Sequence, residues 1–267
     1  MVRNVVLLSI DALRADHLSG YGYHRSTTQQ IDDIADDALL FESAYSVSSH
    51  TREAVPGLLT GRYPDEALGQ DFRLEVDSLA TWQQRAGRAT AAFHSNPYVS
   101  RAFGFDRNFD TFDDDLHLGS HKLIALAQRA LDKLRNRHYA RASEINSRSL
   151  SWIDSQNEPF FLWNHYMDPH GPYIPVADYR DHFANHAISD GEKRQLYKRA
   201  IRNPGSITTE ERRLLIDLYD AEIRYTDAQI EAFFQALDRR GLLDETAVIL
   251  TADHGDAFGE HGYYEHP

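Results

Sequence analysis

Short runs of apolar residues, each bounded by polar or turn-forming positions, punctuate the chain at wide intervals. Asn4–Ile10, Ala89–His94, Pro159–Asn164 and Ala247–Thr251 are long enough for buried strands and too short for buried helices. Between them the apolar positions recur with helical spacing. Ile31, Ile34 and Ala38 share one face after "RSTTQQ", and Leu123 to Leu134 is helical throughout. Ile145, Ser149, Trp152 and Ile153 form a further stripe. The longest pattern opens on a capping box, Thr208-Thr-Glu-Glu211, carries Ile223, Ile230, Phe234 and Leu237, and stops at Gly241. Strands alternating with helices predict an α/β fold: a doubly wound, mainly parallel sheet with helices on both faces. Ligands in such sheets collect at the carboxyl ends of the strands.

That rule selects the polar residues worth following. Asp11 comes directly after the first strand, and Asp253 and His254 follow the last. His94, Ser95 and Asn96 end the second, and His165, Asp168 and His170 end the third. One Asp after a strand is more often a helix cap than a ligand. Such residues at several strand ends together favour a metal or oxyanion site. The stretch "SSHTREAVPGLLTGRYP" fits the same geometry. Ser48, Ser49 and Thr51 precede a short helix expected over Arg52–Leu59, whose N-terminus would suit an anion and an activated hydroxyl. The plainer reading, a polar helix cap, is equally open at this point.

Composition narrows the classes. The 267 residues carry 26% charged and 42% hydrophobic side chains, as a globular chain does. No apolar run approaches a membrane span, and "NVVLLSI" reads as a buried strand rather than a signal sequence. A cytoplasmic location is therefore the default expectation. With no cysteine, thiolate metal sites and cysteine nucleophiles are excluded. A net charge of −13 argues against nucleic acid and anionic membranes as partners. Arg far outnumbers Lys, and Asp outnumbers Glu nearly two to one, a halophile-like acidic surface that high genomic GC would also produce.

Several segments carry a resemblance that runs from end to end. "NVVLLSIDALRADHLSGYGY", "TTQQIDDIADDALLFESAYS", "GLLTGRYP", "FGFDRNFDTFDDD", "PFFLWNHYMDPHGPYIP" and "TADHGDAFGEHG" follow one another as in the sulfatase-like branch of the alkaline phosphatase superfamily. The resemblance implies an alkaline phosphatase-like sheet holding a divalent metal beside a nucleophile that attacks sulfur or phosphorus. It implies Asp11, Asp253 and His254 as metal ligands, joined by the Thr51 hydroxyl. It implies His170, in the "DPH" motif, as a contact to the substrate anion or leaving group. Arg52, Asn96, His165, His261 and His266 are further substrate-binding candidates by position. His266 stands about where many sulfatases have lysine, and Asn96 where they often carry Lys-Trp-His.

Two departures from the family pattern bear on mechanism. Placing Arg52 on the arginine of C/S-x-P-x-R makes Ser48 a formylglycine precursor but requires a gap. The ungapped register over "LLTG" makes Thr51 an unmodified nucleophile, and Thr51 is preferred with Ser48 as the alternative. Many sulfatases open with Asp-Asp on calcium, whereas this chain has Asp11-Ala12. The smaller set with an imidazole suits zinc or manganese better than calcium or magnesium. It resembles the site of the superfamily's phosphoethanolamine and glycerol-phosphate transferases. The expected activity is hydrolysis of a small-molecule, glycan or lipid ester of sulfate or phosphate. Phosphoryl transfer, or phosphodiester or phosphonate hydrolysis, is the alternative. A non-catalytic relative that binds an anion or a partner is the rival of another class. Residues 1–267 are expected to form one catalytic domain lacking the family's C-terminal strand and small C-terminal region.

Overall fold

A computed structural model of the chain describes residues 2–115, 139–180, 182–183 and 188–266. The helix expected over Leu123–Leu134 lies outside the described residues. Five strands form one sheet: β1 (Asn4–Ile10), β2 (Ala89–Phe93), β3 (Thr111–Asp113), β4 (Phe160–Tyr166) and β5 (Thr246–Ala252). Their order is β3-β2-β4-β1-β5. β2 runs parallel to both β3 and β4, pairing Ala91 with Thr111 on one side and with Leu162 on the other.

The four anticipated strands are all present, with ends shifted by no more than two residues. β3 is the addition: its three residues lie in the acid-rich "DTFDDD", where no apolar run marks a strand. β4 is the informative correction. It continues through His165 to Tyr166, and every residue in it is buried. His165 therefore belongs to the strand interior and not to the loop beyond it. Its Nδ1 lies 2.8 Å from the Ser9 hydroxyl of neighbouring β1, and Trp163 Nε1 donates to the same oxygen at 2.9 Å. A central parallel strand buried on both faces accepts a histidine when a partner meets its polar edge.

The helices relevant to the site are α1 (Gln29–Ala35), α2 (Thr51–Thr60), α3 (Leu79–Arg85), α4 (Ala142–Asp154), α5 (Asp190–Arg202) and α6 (Thr209–Arg239). α1 ends before Ala38, which is exposed. In α6 the capping box forms as expected, with Thr208 N and Glu211 N each bonded to the other residue's side chain at 3.1 and 3.2 Å. Gly241 follows with φ of 65°, the left-handed conformation that lets a chain leave a helix. Phe233 occupies the buried position expected for Phe234. None of the described helices is long and apolar enough to cross a membrane.

The described chain divides into two compact units. The first comprises Met1–Ser9, Thr51–Met167 and Ala236–Thr251. Its core gathers Leu7, Val55, Leu59, Phe105, Phe161 and Trp163. Val55 and Leu59, one turn apart on α2, are 0% and 1% exposed, and each such burial contributes about 1.5–3 kcal/mol. The second unit comprises Ile10–His50, Asp168–Gln235 and Ala252–Pro267. Aromatic rings fill it: Tyr173, Tyr219 and Phe258 meet pairwise with centroids 5.1–5.8 Å apart. α6 is buried all round through its middle and carries acids there. Asp217 and Asp220 grip Arg25 at 2.6 and 2.7 Å, and Asp220 also bonds His17 Nδ1 and the Tyr23 hydroxyl. Glu222 accepts from Ile174 N, and Asp227 caps α1 by accepting from Ile31 N at 2.8 Å.

Candidate active site

In the second unit the residues that follow β1 and β5 converge. Asp11, Asp253 and His254 are all buried, and one ligand atom from each lies within 4.8 Å of the others. His254 Nε2 is 3.4 Å from Asp11 Oδ1 and 3.6 Å from Asp253 Oδ2. The local backbone accounts for this. Ala12 adopts φ of 59°, which costs a non-glycine residue of order 1 kcal/mol. In that conformation its N–H donates to Asp253 Oδ1 at 3.2 Å, and its carbonyl accepts from Tyr219 at 2.6 Å. Asp253 Oδ1 also accepts from His254 N at 2.8 Å. One oxygen of Asp253 is thus occupied by backbone donors, while the other faces His254.

The donor set fits a divalent metal. His254 Nδ1 lies 3.1 Å from Gly255 O, and a carbonyl can only accept, so the proton belongs on Nδ1. Nε2 then presents its lone pair to the two carboxylates, the orientation a ligating imidazole needs. Gly255 permits this arrangement, since a Cβ there would stand 2.8 Å from Arg14 Cγ.

Further histidines and acids adjoin the cluster. His170 and His254 rings are 6.4 Å apart, and His266 lies 5.3 Å from the former and 4.6 Å from the latter. His170 Nδ1 is 2.8 Å from Gly171 O, and its Nε2 is 3.1 Å from His266 Nε2. Burial opposes charge on His170, yet the carboxylates of Asp11, Asp256 and Glu265 hold its pKa up at about 9. Burial and the neighbouring histidines push His266 down to about 3. The shared proton therefore resides on His170, which donates to His266. Burial also raises Asp256 to about 6, and Asp256 Oδ2 accepts from the Tyr173 hydroxyl at 2.7 Å.

The remaining expected residues fall in several places. Thr51, 2% exposed, is the first residue of α2 in the first unit, where Asn96 Nδ2 approaches its hydroxyl at 3.5 Å. It directly follows His50, whose ring packs edge-on against His266 at 4.9 Å in the second unit. Ser48 Oγ accepts from His50 N at 3.3 Å, as a turn residue does. Arg52 pairs with Glu53 at 2.9 Å and lies 3.9 Å over the Phe72 ring. His261 is exposed at the pocket rim beside Tyr263. His165 and His94 are interior to the first unit. Sequence reasoning passed over Asp256, Glu265, Arg14 and Tyr173. Asp256 had a signal, being the third acid or imidazole in "DHGD"; the others depend on how loops fold back.

Two carboxylates and an imidazole gathered at the carboxyl ends of neighbouring strands β1 and β5 define the class, an α/β protein with a candidate ligand site at its strand ends. The family model described as Sulfatase matches residues 3–267, and the chain belongs to the sulfatase family. Human iduronate 2-sulfatase is 23% identical across 97% of the chain, and the chain spans 56% of that protein's length. Among solved structures, a phosphonate monoester hydrolase of Agrobacterium radiobacter superposes with a TM-score of 0.74 at 19% identity, covering 98% of this chain and 64% of that one. The zinc complex of the periplasmic domain of EptC from Escherichia coli superposes with a TM-score of 0.69 at 14% identity, covering 100% and 68%.

Proposed function

We propose that this chain carries the metal site of a hydrolase of sulfate or phosphate esters. The observation that carries the reading is the convergence of Asp11, Asp253 and His254, with the tautomer of His254 set by Gly255. These residues would hold zinc or manganese, which when bound supplies Lewis-acid stabilisation to an oxyanion at neutral pH. Asp253 is held by the N–H groups of Ala12 and His254, so its ligating oxygen is oriented in advance. His170 offers Nε2–H to an anionic oxygen or a leaving alkoxide, with His266 as the acceptor it uses at rest.

Thr51 is the preferred nucleophile, supported by the ungapped "LLTG" register, its place at the start of α2, and the Asn96 amide beside its hydroxyl. In the step so assigned, Thr51 Oγ bonds to phosphorus or sulfur while the bond to the leaving alkoxide breaks. That alkoxide takes a proton from water, the threonine proton passes to solvent, and water then opens the threonine ester. A phosphothreonine can be opened in this way far more readily than a sulfated threonine, so Thr51 favours phosphorus. Ser48 as formylglycine favours sulfur.

Metal-loaded protein, assayed with aryl sulfate, phosphate and phosphodiester substrates, tests the reading alongside intact-mass analysis. Turnover that Thr51→Ala abolishes, together with a single trapped phosphoryl or sulfuryl adduct mapped to Thr51, is the expected result. Loss of two hydrogens at Ser48 would move the nucleophile there and the substrate to sulfate.

A further inference from the structure

Residues 36–47, in the second unit, are exposed without a break. Leu39 is 89% exposed, Leu40 49%, Phe41 72%, Tyr45 89% and Val47 44%. Tyr21, 40% exposed, joins them by donating its hydroxyl to the Phe41 carbonyl at 2.9 Å. At about 150–250 Å² for a full large side chain, these fractions leave roughly 600–900 Å² of surface in water. The largest apolar patch on a typical single chain is about 300–600 Å². A stable dimer buries about 800 Å² on each partner. The arc is therefore about the size of one side of a dimer interface.

Its backbone is as open as its side chains. Among the described residues, no amide of residues 39–47 donates to a backbone carbonyl. Leu39, Phe41, Tyr45 and Val47 recur with the two-residue period of a strand, with Ser43 midway. The arc is held at Phe41 by Tyr21 and at Ser46, whose hydroxyl lies against the carbonyls of Ser48 and Asp253. Between these anchors residues 42–43 form a turn.

A second copy of the arc complements the first. Antiparallel pairing about a two-fold axis at Ser43 sets Leu39 opposite Val47 and Phe41 opposite Tyr45, twice each and on one face. It also sets Glu42 opposite Ala44 and Asp37 opposite Ser49, so the acids of the arc never face one another. An axis one residue earlier would oppose Glu42 to itself. The N–H and C=O of a strand residue point to the same side, and Tyr21 already takes the Phe41 carbonyl. The ladder then falls to Leu40, Glu42, Ala44 and Ser46, which makes the apolar pairs the closer, non-hydrogen-bonded ones.

We propose that residues 36–47 are a self-association face, on which two copies pair residues 39–47 antiparallel about Ser43 and the turn at residues 42–43 opens into a strand. The proposal is independent of the chemistry at the metal cluster.

Sedimentation velocity of the whole chain from about 1 to 100 μM tests it, and a reversible dimer is expected. Phe41→Asp and Tyr45→Asp each act twice in a symmetric interface, and each should raise the dimer Kd by about thirtyfold or more. Tyr63→Asp, at a tyrosine 67% exposed in the first unit, should change it by less than about twofold. Near-ultraviolet circular dichroism should stay native in all three. The chain has no cysteine, so Ser43→Cys reports the axis, and mild oxidation should join two copies through that residue. A chain that stays monomeric at 100 μM would overturn the proposal and leave the arc to a strand of another polypeptide. A dimer indifferent to Phe41→Asp and Tyr45→Asp would place the contact elsewhere and overturn it equally. A dimer weakened by both, yet not joined in Ser43→Cys, would uphold the face and overturn the register.

Discussion

Replacing His94 by phenylalanine should make the protein markedly more resistant to acid. His94 ends β2, is 0% exposed, and packs its ring between Phe112 and Trp163 with centroids 5.1 and 5.4 Å away. Burial there pushes its pKa from 6.5 down to about 3. The native state thus holds a neutral imidazole, whereas the unfolded chain binds a proton below 6.5. The group's contribution is fully present above pH 6.5 and is lost as pH falls toward 3. Linkage gives a loss of about 2 kcal/mol at pH 5 and about 3 kcal/mol at pH 4. Against a total stability of about 5–15 kcal/mol, that loss is large. Urea unfolding of both proteins between pH 7.5 and 4.5 reads the difference directly. The phenylalanine carries a fixed packing cost, so only the pH dependence of the difference matters. Parallel stability curves, or a His94 ring titrating near 6.5 by NMR, would refute the reasoning.

Three further expectations concern the second unit. Arg25→Ala leaves Asp217 and Asp220, 3% and 0% exposed, without their shared guanidinium; a loss of about 3–5 kcal/mol is expected in thermal or urea unfolding. Gly171→Ala would set a Cβ 2.1 Å from the Tyr197 ring, lowering stability by about 1–3 kcal/mol, and Tyr197→Leu in the same chain should recover most of it. His254→Ala should reduce bound zinc per chain by about tenfold or more in elemental analysis, while near-ultraviolet circular dichroism stays native.

The sheet was legible because its strands are apolar runs of the right length, flanked by residues that end them. β3 was not, since a three-residue parallel strand needs only its neighbour's backbone and leaves no apolar signature in "DTFDDD". His165 was misread for a related reason. Counting a histidine as the end of an apolar run assumes it must reach water, whereas Ser9 meets it inside the sheet. The convergence of Asp11, Asp253 and His254 was legible for the opposite reason: they stand within two residues of the ends of their strands, so the sheet alone brings them together. Asp256, Tyr173 and Glu265 depend on the return of the hairpin of β6 (Ala257–Phe258) and β7 (Tyr264–Glu265) and on the aromatic packing beneath it, neither of which has a local code. Arg52, assigned by register to substrate, has its guanidinium on Glu53 and Phe72, a stacked pairing that no spacing rule announces.

The acids buried along α6 suggest how a site of this kind tolerates drift. Asp217, Asp220, Glu222 and Asp227 between them reach several segments of the second unit, from the turn at His17 through Arg25 and the start of α1 to the stretch after His170. One rigid rod thereby acts as a common jig for these loops. Such loops are free to lengthen, shorten or exchange most of their residues, so long as the single group that docks on the rod is kept. Variation among relatives should therefore be dense between the docking residues and sparse at them, with insertions collecting in the free arcs of each loop and the helix itself changing least.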